Sequence, residues 1–313
     1  MDPNARAFYE SRFEIAFLRK KGEAFQDFFS TIMEMGYPSD FQRVRPWGRL
    51  GDRKNDGYLG SKRMLFQVYA PNELASAETV RKIHEDFTEA LPYWKAHFST
   101  WVFVHNAENG LGPAVLKKLL ELEAANSHLK VLRWGFEQLR AEVFLLPESS
   151  LARLFGPAPT AQSMDALGIS DLRPILEHIP RLPAPSDADL RPVPADKLQR
   201  NLLSEHAADL LKLGMRRASL VGRYFDARPD PTERDAIAQA LRVRYEELRR
   251  TALSPDQVFA ALQEFVHSVR APTPAQHAAV VTVLAYFFEE CDIFERTPQQ
   301  AESVERAAQK VES

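Results

Sequence analysis

Four polar side chains in the N-terminal part of the sequence could form one chemical site. Asp56 lies in a turn before a short strand-like segment, and Gln67 follows 11 positions later among apolar residues. Two adjacent strands would present the carboxylate of Asp56 and the amide of Gln67 to one spot. Upstream, Glu23 and Gln26 are three positions apart on a predicted helix, so they share a face.

A structural interpretation of the same residues stays open. Asp-Gly is a preferred pair in tight hairpin turns, which alone could explain Asp56 followed by Gly57. Gln67 would then be a core amide whose hydrogen bonds are satisfied within the protein. As a turn residue, Asp56 would contribute little packing, so we expect its replacement to change stability little.

A basic segment lies around this turn. The segment between positions 42 and 63 contains seven basic residues and two acidic residues, Asp52 and Asp56. Its local charge is therefore +5, in a chain whose net charge is −3. Such a segment could bind phosphates or could be a solvated loop. The basic residues are Arg43, Arg45, Arg49, Arg53, Lys54, Lys62 and Arg63.

Composition places the chain among globular proteins. Hydrophobic residues make up 45% and charged residues 27%, which excludes a disordered chain, a collagen-like fibre and a disulfide scaffold. Cys291 is the only cysteine, so no intrachain disulfide can form. No apolar run approaches the roughly 20 residues that span a bilayer, and the first residues lead into no signal core. We expect a cytoplasmic protein that does not enter the membrane.

Hydrophobic periodicity predicts an N-terminal α/β sandwich and a C-terminal helical region. The N-terminal order is helix, three strands, helix, strand, helix, strand, with strands at 41–47, 56–59, 64–69, 99–105 and 129–134 and later helices at 76–94 and 113–125. Nine of the 21 prolines fall between Pro147 and Pro194, which predicts a connecting segment. We therefore expect domains at 1–146 and 196–313, joined by residues 147–195.

Three short motifs carry a resemblance to a known superfamily. Phe25-Gln26 lies on a helix, Gly51-Asp52 with Asn55-Asp56-Gly57 forms an acidic turn, and Gln67-Val68 lies on the next strand. In this order they resemble the restriction-endonuclease-like, or PD-(D/E)XK, nucleases, most closely Mrr-like defence nucleases. The resemblance covers about residues 7 to 135 and implies an αβββαβ core.

The resemblance implies a metal-dependent phosphodiester cleavage. In an active enzyme Asp56, with Glu23 or Asp52 and a backbone carbonyl, would hold Mg²⁺, which prefers oxygen ligands. The ion would generate the hydroxide nucleophile and screen the scissile phosphate. Gln67 and Gln26 would complete the site, and the substrate would be nucleic acid, with DNA favoured over RNA. Its contacts would come from Arg43, Arg45, Arg49, Arg53 and Arg63.

The chain departs from the family pattern at one position. Where the family has its catalytic lysine, this sequence has Tyr69, which we expect on the strand face of Gln67 and in the pocket of Asp56. Tyrosine carries no positive charge near neutral pH. Either Lys54 or Lys62 reaches the site from another backbone position, or the nuclease is weak or inactive.

A second resemblance concerns the C-terminal region. The segment from Leu284 to Glu295 resembles C-terminal modules of bacterial ABC-three-component defence proteins, and the alternative is an ordinary amphipathic helix end. Together the two resemblances imply a nuclease-type effector of an anti-phage defence system, which a protein partner activates through the helical region. The alternative is an inactive nucleic-acid-binding or adaptor subunit, and either could form homo-oligomers.

Overall fold

The computed structural model of the protein describes residues 1–45, 53–107, 110–179, 203–230, 232–250, 253–267 and 273–289. The chain divides into two compact units. Residues 16–151 form the α/β unit, and residues 1–15 with 152–313 form the helical unit. Helix α1 (Pro3–Arg19) begins in the helical unit and ends in the α/β unit.

The described part of the α/β unit contains a five-stranded sheet in the order β1-β2-β3-β4-β5. The first three strands pair antiparallel, and β3, β4 and β5 pair parallel. Helices join the parallel strands, as parallel connections require. The strands are β1 (Phe41–Arg43), β2 (Gly57–Leu59), β3 (Met64–Tyr69), β4 (Thr100–His105) and β5 (Lys130–Trp134).

Helices cover both faces of the sheet because successive strand side chains point to opposite sides. Phe66 of β3 contacts Phe29 with ring centroids 5.3 Å apart, on the face that α2 covers. Leu65 lies on the other face, in the same apolar cluster as Phe87, which contacts Trp101 at 5.3 Å. The helices are α2 (Gly22–Gly36) with α5 (Phe136–Leu145) beside it, and α3 (Ser76–Trp94) with α4 (Pro113–Ala125) opposite.

The helical unit is built around α13 (Pro274–Glu289), which is apolar on most faces and buried along most of its length. Gly214 allows a neighbouring helix to approach closely, since a Cβ there would lie 2.4 Å from the carbonyl oxygen of Val281. Helix α6 (Glu148–Phe155) begins in the α/β unit and ends in the helical unit. The other helices in the described part of the helical unit are α7 (Ala161–Asp165), α8 (Ile169–His178), α9 (Glu205–Met215), α10 (Ser219–Asp226), α11 (Glu233–Arg249) and α12 (Pro255–Val266).

The predicted mixed α+β fold with a helical C-terminal region is confirmed. The first strand ends earlier than expected, at Arg43. Residues 148–178, expected within a connecting segment, contain three helices, because Leu151, Leu172 and Leu176 bury an apolar face. Residues 180–202, which hold the rest of that segment, lie outside the described chain. No helix in the described ranges is long and apolar enough to cross a membrane.

Candidate functional site

The carboxylate of Asp56 is buried where β2 begins, and the residue is 4% exposed. The backbone amide of Val68 donates to its Oδ2 at 2.6 Å, and the side-chain amide of Gln26 donates to its Oδ1. The backbone amide of Asp56 donates to the carbonyl of Phe66 at 2.9 Å. Asp56 therefore ties the start of β2 to β3 and to α2.

The turn that carries Asp56 has a specific local conformation. Arg53 and Lys54 have φ angles of 52° and 56°, which residues other than glycine adopt rarely. Asn55 is fully buried, and its Oδ1 accepts from the amide of Gly57 at 2.9 Å. A Cβ on Gly57 would lie 2.3 Å from the ring of Phe41, so only glycine fits beside β1. Together these features direct Asp56 toward the interior.

Gln67 lies on β3, beside the backbone of Asp56. The bonds of Asp56 to Phe66 and Val68 bracket Gln67 on the strand. Gln67 is 6% exposed, and its Oε1 accepts no hydrogen bond from any part of the chain that the structure describes. Leaving a buried acceptor unsatisfied is costly. The amide oxygen is therefore a ready acceptor for a donor or a cation.

Glu23 and Gln26 lie on one face of α2, as predicted, and both line a pocket. The amide of Gly22 donates to the carbonyl of Ala70 at 2.6 Å, which fixes the start of α2 to the end of β3. Glu23 is exposed, whereas Gln26 is half-buried and bonds to Asp56. The pocket has a volume of about 80 Å³ and is lined by Glu23, Gln26, Asp27, Ser30, Arg43, Val44 and Arg45.

The described contacts of the two candidate lysines are with α3 and with Tyr37. The ammonium of Lys54 lies 2.9 Å from Glu85 and 3.2 Å from Asp86, both on α3. Burial alone would lower the pKa of Lys54, but these carboxylates outweigh it and raise the pKa above its ordinary value. The ammonium of Lys62 lies 4.9 Å from the ring centroid of Tyr37 and bonds to its hydroxyl. Both lysines thus have partners on other parts of the α/β unit.

Tyr69 packs with the α3 layer rather than with Asp56. Its ring lies 6.3 Å from that of Phe103. Burial raises the pKa of the phenol, so it stays neutral. We expected Tyr69 on the same strand face as Gln67, and the alternation of side chains along β3 agrees with this expectation. The described neighbours of Tyr69 belong to β4 and α3, and a pocket that it shares with Asp56 stays a prediction.

Two of the arginines predicted to bind nucleic acid lie near the end of α3. The guanidinium of Arg53 lies 5.4 Å from the ring centroid of Tyr93, and that of Arg63 donates to the carbonyl of Ala96 at 2.9 Å. Both arginines therefore have intramolecular partners on the α3 side of the sheet.

Two other arginines of this set lie on the α2 side. Arg43 and Arg45 both pair with Asp27. The predicted basic segment is thus divided between two sides of the sheet. Arg49 and Asp52, predicted for nucleic-acid and metal binding, lie outside the described residues.

The described residues hold no group of three or more His, Cys, Asp or Glu side chains that could bind a metal. Of the predicted ligands, Asp56 is buried and Glu23 is exposed in the pocket. The donors at β2 and β3 are the Asp56 carboxylate and the unsatisfied amide oxygen of Gln67, and both are hard oxygens of the kind Mg²⁺ prefers. Both oxygen atoms are therefore of the chemical kind that binds Mg²⁺.

The sequence analysis did not identify the roles of three residues in this region. Asn55 shapes the turn, Asp27 holds two arginines, and Asp86 holds Lys54. The signal for Asn55 was present, since an asparagine two residues before a glycine is typical of a side-chain-bonded turn. Asp27 and Asp86 acquire their roles through tertiary packing, which no local pattern reports.

One comparison with known proteins gives a match. Residues 170–295 match the model of a family described as C-terminal domain 10 of the ABC-three component (ABC-3C) systems. The predicted resemblance of the C-terminal region to ABC-3C proteins is thereby confirmed. No curated protein and no solved structure matches the chain. The restriction-endonuclease-like resemblance of the α/β unit stays a prediction.

Proposed function

We propose that the protein is an Mg²⁺-dependent nuclease-type effector of a prokaryotic anti-phage defence system, and that a partner protein activates it. The observation that carries this proposal is the position of Asp56 between Gln26 and the part of β3 that holds Gln67. Gln26 donates to Asp56, and the hydrogen bonds of Asp56 to Phe66 and Val68 lie on either side of Gln67 along β3. The match of residues 170–295 to an ABC-3C family is consistent with a role in defence.

The chain's own residues would hold and orient the metal. Asp56 and the Oε1 of Gln67 would be ligands, with Glu23 or Asp52 as a further carboxylate. The amides of Gln26 and Val68 fix the Asp56 carboxylate in place. When bound, Mg²⁺ would supply a hydroxide nucleophile and screen the charge of the phosphate.

Partner activation follows from the positions of the cationic side chains. Lys54 pairs with α3, Lys62 lies against Tyr37, and Tyr69 is neutral. These contacts hold the two ammonium groups against α3 and Tyr37, whereas negative charge develops at the scissile phosphate in the transition state. We therefore expect slow cleavage by the isolated protein. Binding through the helical unit, the part that matches the ABC-3C family, would complete the site.

A second candidate function is that of an inactive adaptor on the same scaffold. Gln67 shares a strand face with Leu65 and Tyr69, which pack toward α3, whereas the carboxylate of Asp56 bonds to Gln26 on α2. This arrangement favours separate structural roles for Asp56 and Gln67. Such a subunit would bind nucleic acid or a partner without cleavage.

Plasmid cleavage with the co-purified partner proteins separates the two functions. We expect Mg²⁺-dependent cleavage by the wild type that Gln67→Leu abolishes, while Gln162→Leu, a matched change at an exposed position, leaves it intact. Far-UV circular dichroism verifies folding of each variant. Retained binding without cleavage of DNA or RNA in Mg²⁺ or Mn²⁺ would select the adaptor.

A further inference from the structure

Two arginines share one carboxylate oxygen in the pocket between α2 and the end of β1. The guanidinium of Arg43 lies 2.8 Å from Oδ1 of Asp27, and that of Arg45 lies 3.2 Å from the same oxygen. A carboxylate oxygen of Glu34 lies 3.0 Å from the Nε of Arg43, and the two outer nitrogens of Arg43 donate to Oδ1 and to the backbone carbonyl of Asp27. Two cations thus converge on one anionic oxygen.

The same pocket contains a buried donor without a partner. Ser30 lines the pocket and is 1% exposed, and in the described part of the chain its Oγ makes no hydrogen bond. Gln26 lines the pocket as well and bonds to Asp56. The pocket therefore offers two guanidinium groups and one hydroxyl, and it leads to the predicted site through Gln26.

This donor set suits a phosphate group. Guanidinium groups bind phosphate and carboxylate oxygens with the same planar geometry, and a hydroxyl can donate to a second phosphate oxygen. Asp27 is 52% exposed and Arg45 is 64% exposed, so water screens their ion pair. A polyanion that brings several phosphates could displace Asp27.

We propose that this pocket is a phosphodiester-binding subsite that Asp27 occupies in the absence of nucleic acid, an inference that rests on the nucleic-acid role proposed above. One backbone phosphate of the bound nucleic acid contacts Arg43, Arg45 and Ser30. Asp27 mimics that phosphate and lowers the affinity of the resting protein. The contact is autoinhibitory, and removal of its charge relieves it.

Binding measurements on the full chain test the proposal without cleavage. Labelled single-stranded DNA, duplex DNA and RNA are titrated in EDTA, with fluorescence anisotropy as the readout. Asp27→Asn keeps the size of the side chain and removes its charge. We expect it to bind at least one of these nucleic acids roughly 3- to 10-fold more tightly than the wild type, the scale of two screened ion pairs.

Two controls isolate the arginines. Glu137→Gln removes an equal charge from a side chain that is 72% exposed on the same unit, and it should leave the affinity unchanged. In a chain that also carries Arg43→Gln and Arg45→Gln, Asp27→Asn should give no gain in binding affinity. If the double arginine change prevents folding, Arg45→Gln alone should reduce the gain.

Three outcomes would contradict the subsite. Asp27→Asn gives no gain in affinity for any of the nucleic acids, Glu137→Gln gives an equal gain in affinity, or the gain persists in the chain that lacks both arginines. Cleavage in Mg²⁺ is scored separately, with the co-purified partner proteins present. A binding gain without cleavage contradicts the nuclease and supports the subsite, whereas cleavage without a binding gain contradicts the subsite alone.

Discussion

The carboxylate of Asp56 accepts two hydrogen bonds in a buried position, so its removal affects folding as well as chemistry. This differs from the expectation for a turn residue that contributes little packing. The sequence could group Asp56 with Gln26 and Gln67 by their order in a motif. It could not indicate that Lys54 pairs with Asp86, because these positions become neighbours only when α3 packs on the sheet.

Replacement of Asp56 by alanine should lower the free energy of unfolding by about 1–3 kcal/mol, because the donors of Val68 and Gln26 lose their acceptor. Urea denaturation measures the change. The control is Glu121→Ala, which removes a carboxylate that is 54% exposed and should change stability by about 0.5 kcal/mol or less. Equal effects of the two changes would show that Asp56 has no structural role.

At the scale of secondary structure, the edge of the sheet depends on close contact between β1 and β2. Phe41 pairs with Leu59, and its ring occupies the space beside Gly57. The sequence predicted the bounds of β3, α3 and α4 well, because apolar periodicity and flanking prolines mark them. It overestimated β1, since the length of that strand depends on its pairing with the three residues of β2.

Gly57→Ala should lower the free energy of unfolding by about 1–3 kcal/mol, since its Cβ would overlap the ring of Phe41. Thermal unfolding measures the effect. Gly112→Ala is the matched control, because a Cβ there meets nothing within 4 Å. Combining Gly57→Ala with Phe41→Leu should restore part of the lost stability. A fall in stability no larger than that of Gly112→Ala would be inconsistent with the observed packing.

At the scale of the whole molecule, buried histidines occur in both units. Burial lowers the pKa of His105 to about 4 in the α/β unit. In the helical unit His267 and His277 lie 3.1 Å apart, and burial lowers their pKa values to about 4 and about 2. No pattern in the sequence indicates that these histidines are buried. Nor does the sequence indicate that residues 1–15 belong with the C-terminal unit, since that depends on which helices pack together.

Stability should fall on acidification below about pH 6.5. The unfolded chain binds a proton at each histidine near pH 6.5, whereas the folded chain resists protonation until about pH 4 or lower, so stability rises with pH across this window. For His105 the change between pH 6.5 and 5 is up to roughly 2 kcal/mol.

Urea midpoints at several pH values test this expectation. His105→Gln should reduce the pH dependence, because its side chain does not titrate. His128→Gln, a change at an exposed position, should retain the wild-type dependence. An unchanged pH dependence in His105→Gln would show that the folded protein protonates His105 normally.

The central claim is that Asp56 and Gln67 hold a divalent ion together. Anomalous diffraction from crystals soaked in Mn²⁺, which accepts the same oxygen ligands as Mg²⁺, tests it most directly. We expect an anomalous peak bonded to an Asp56 carboxylate oxygen and to Oε1 of Gln67, and we expect the peak to vanish in Gln67→Leu. At saturating Mn²⁺, the absence of a peak at these atoms in the wild type would contradict the claim.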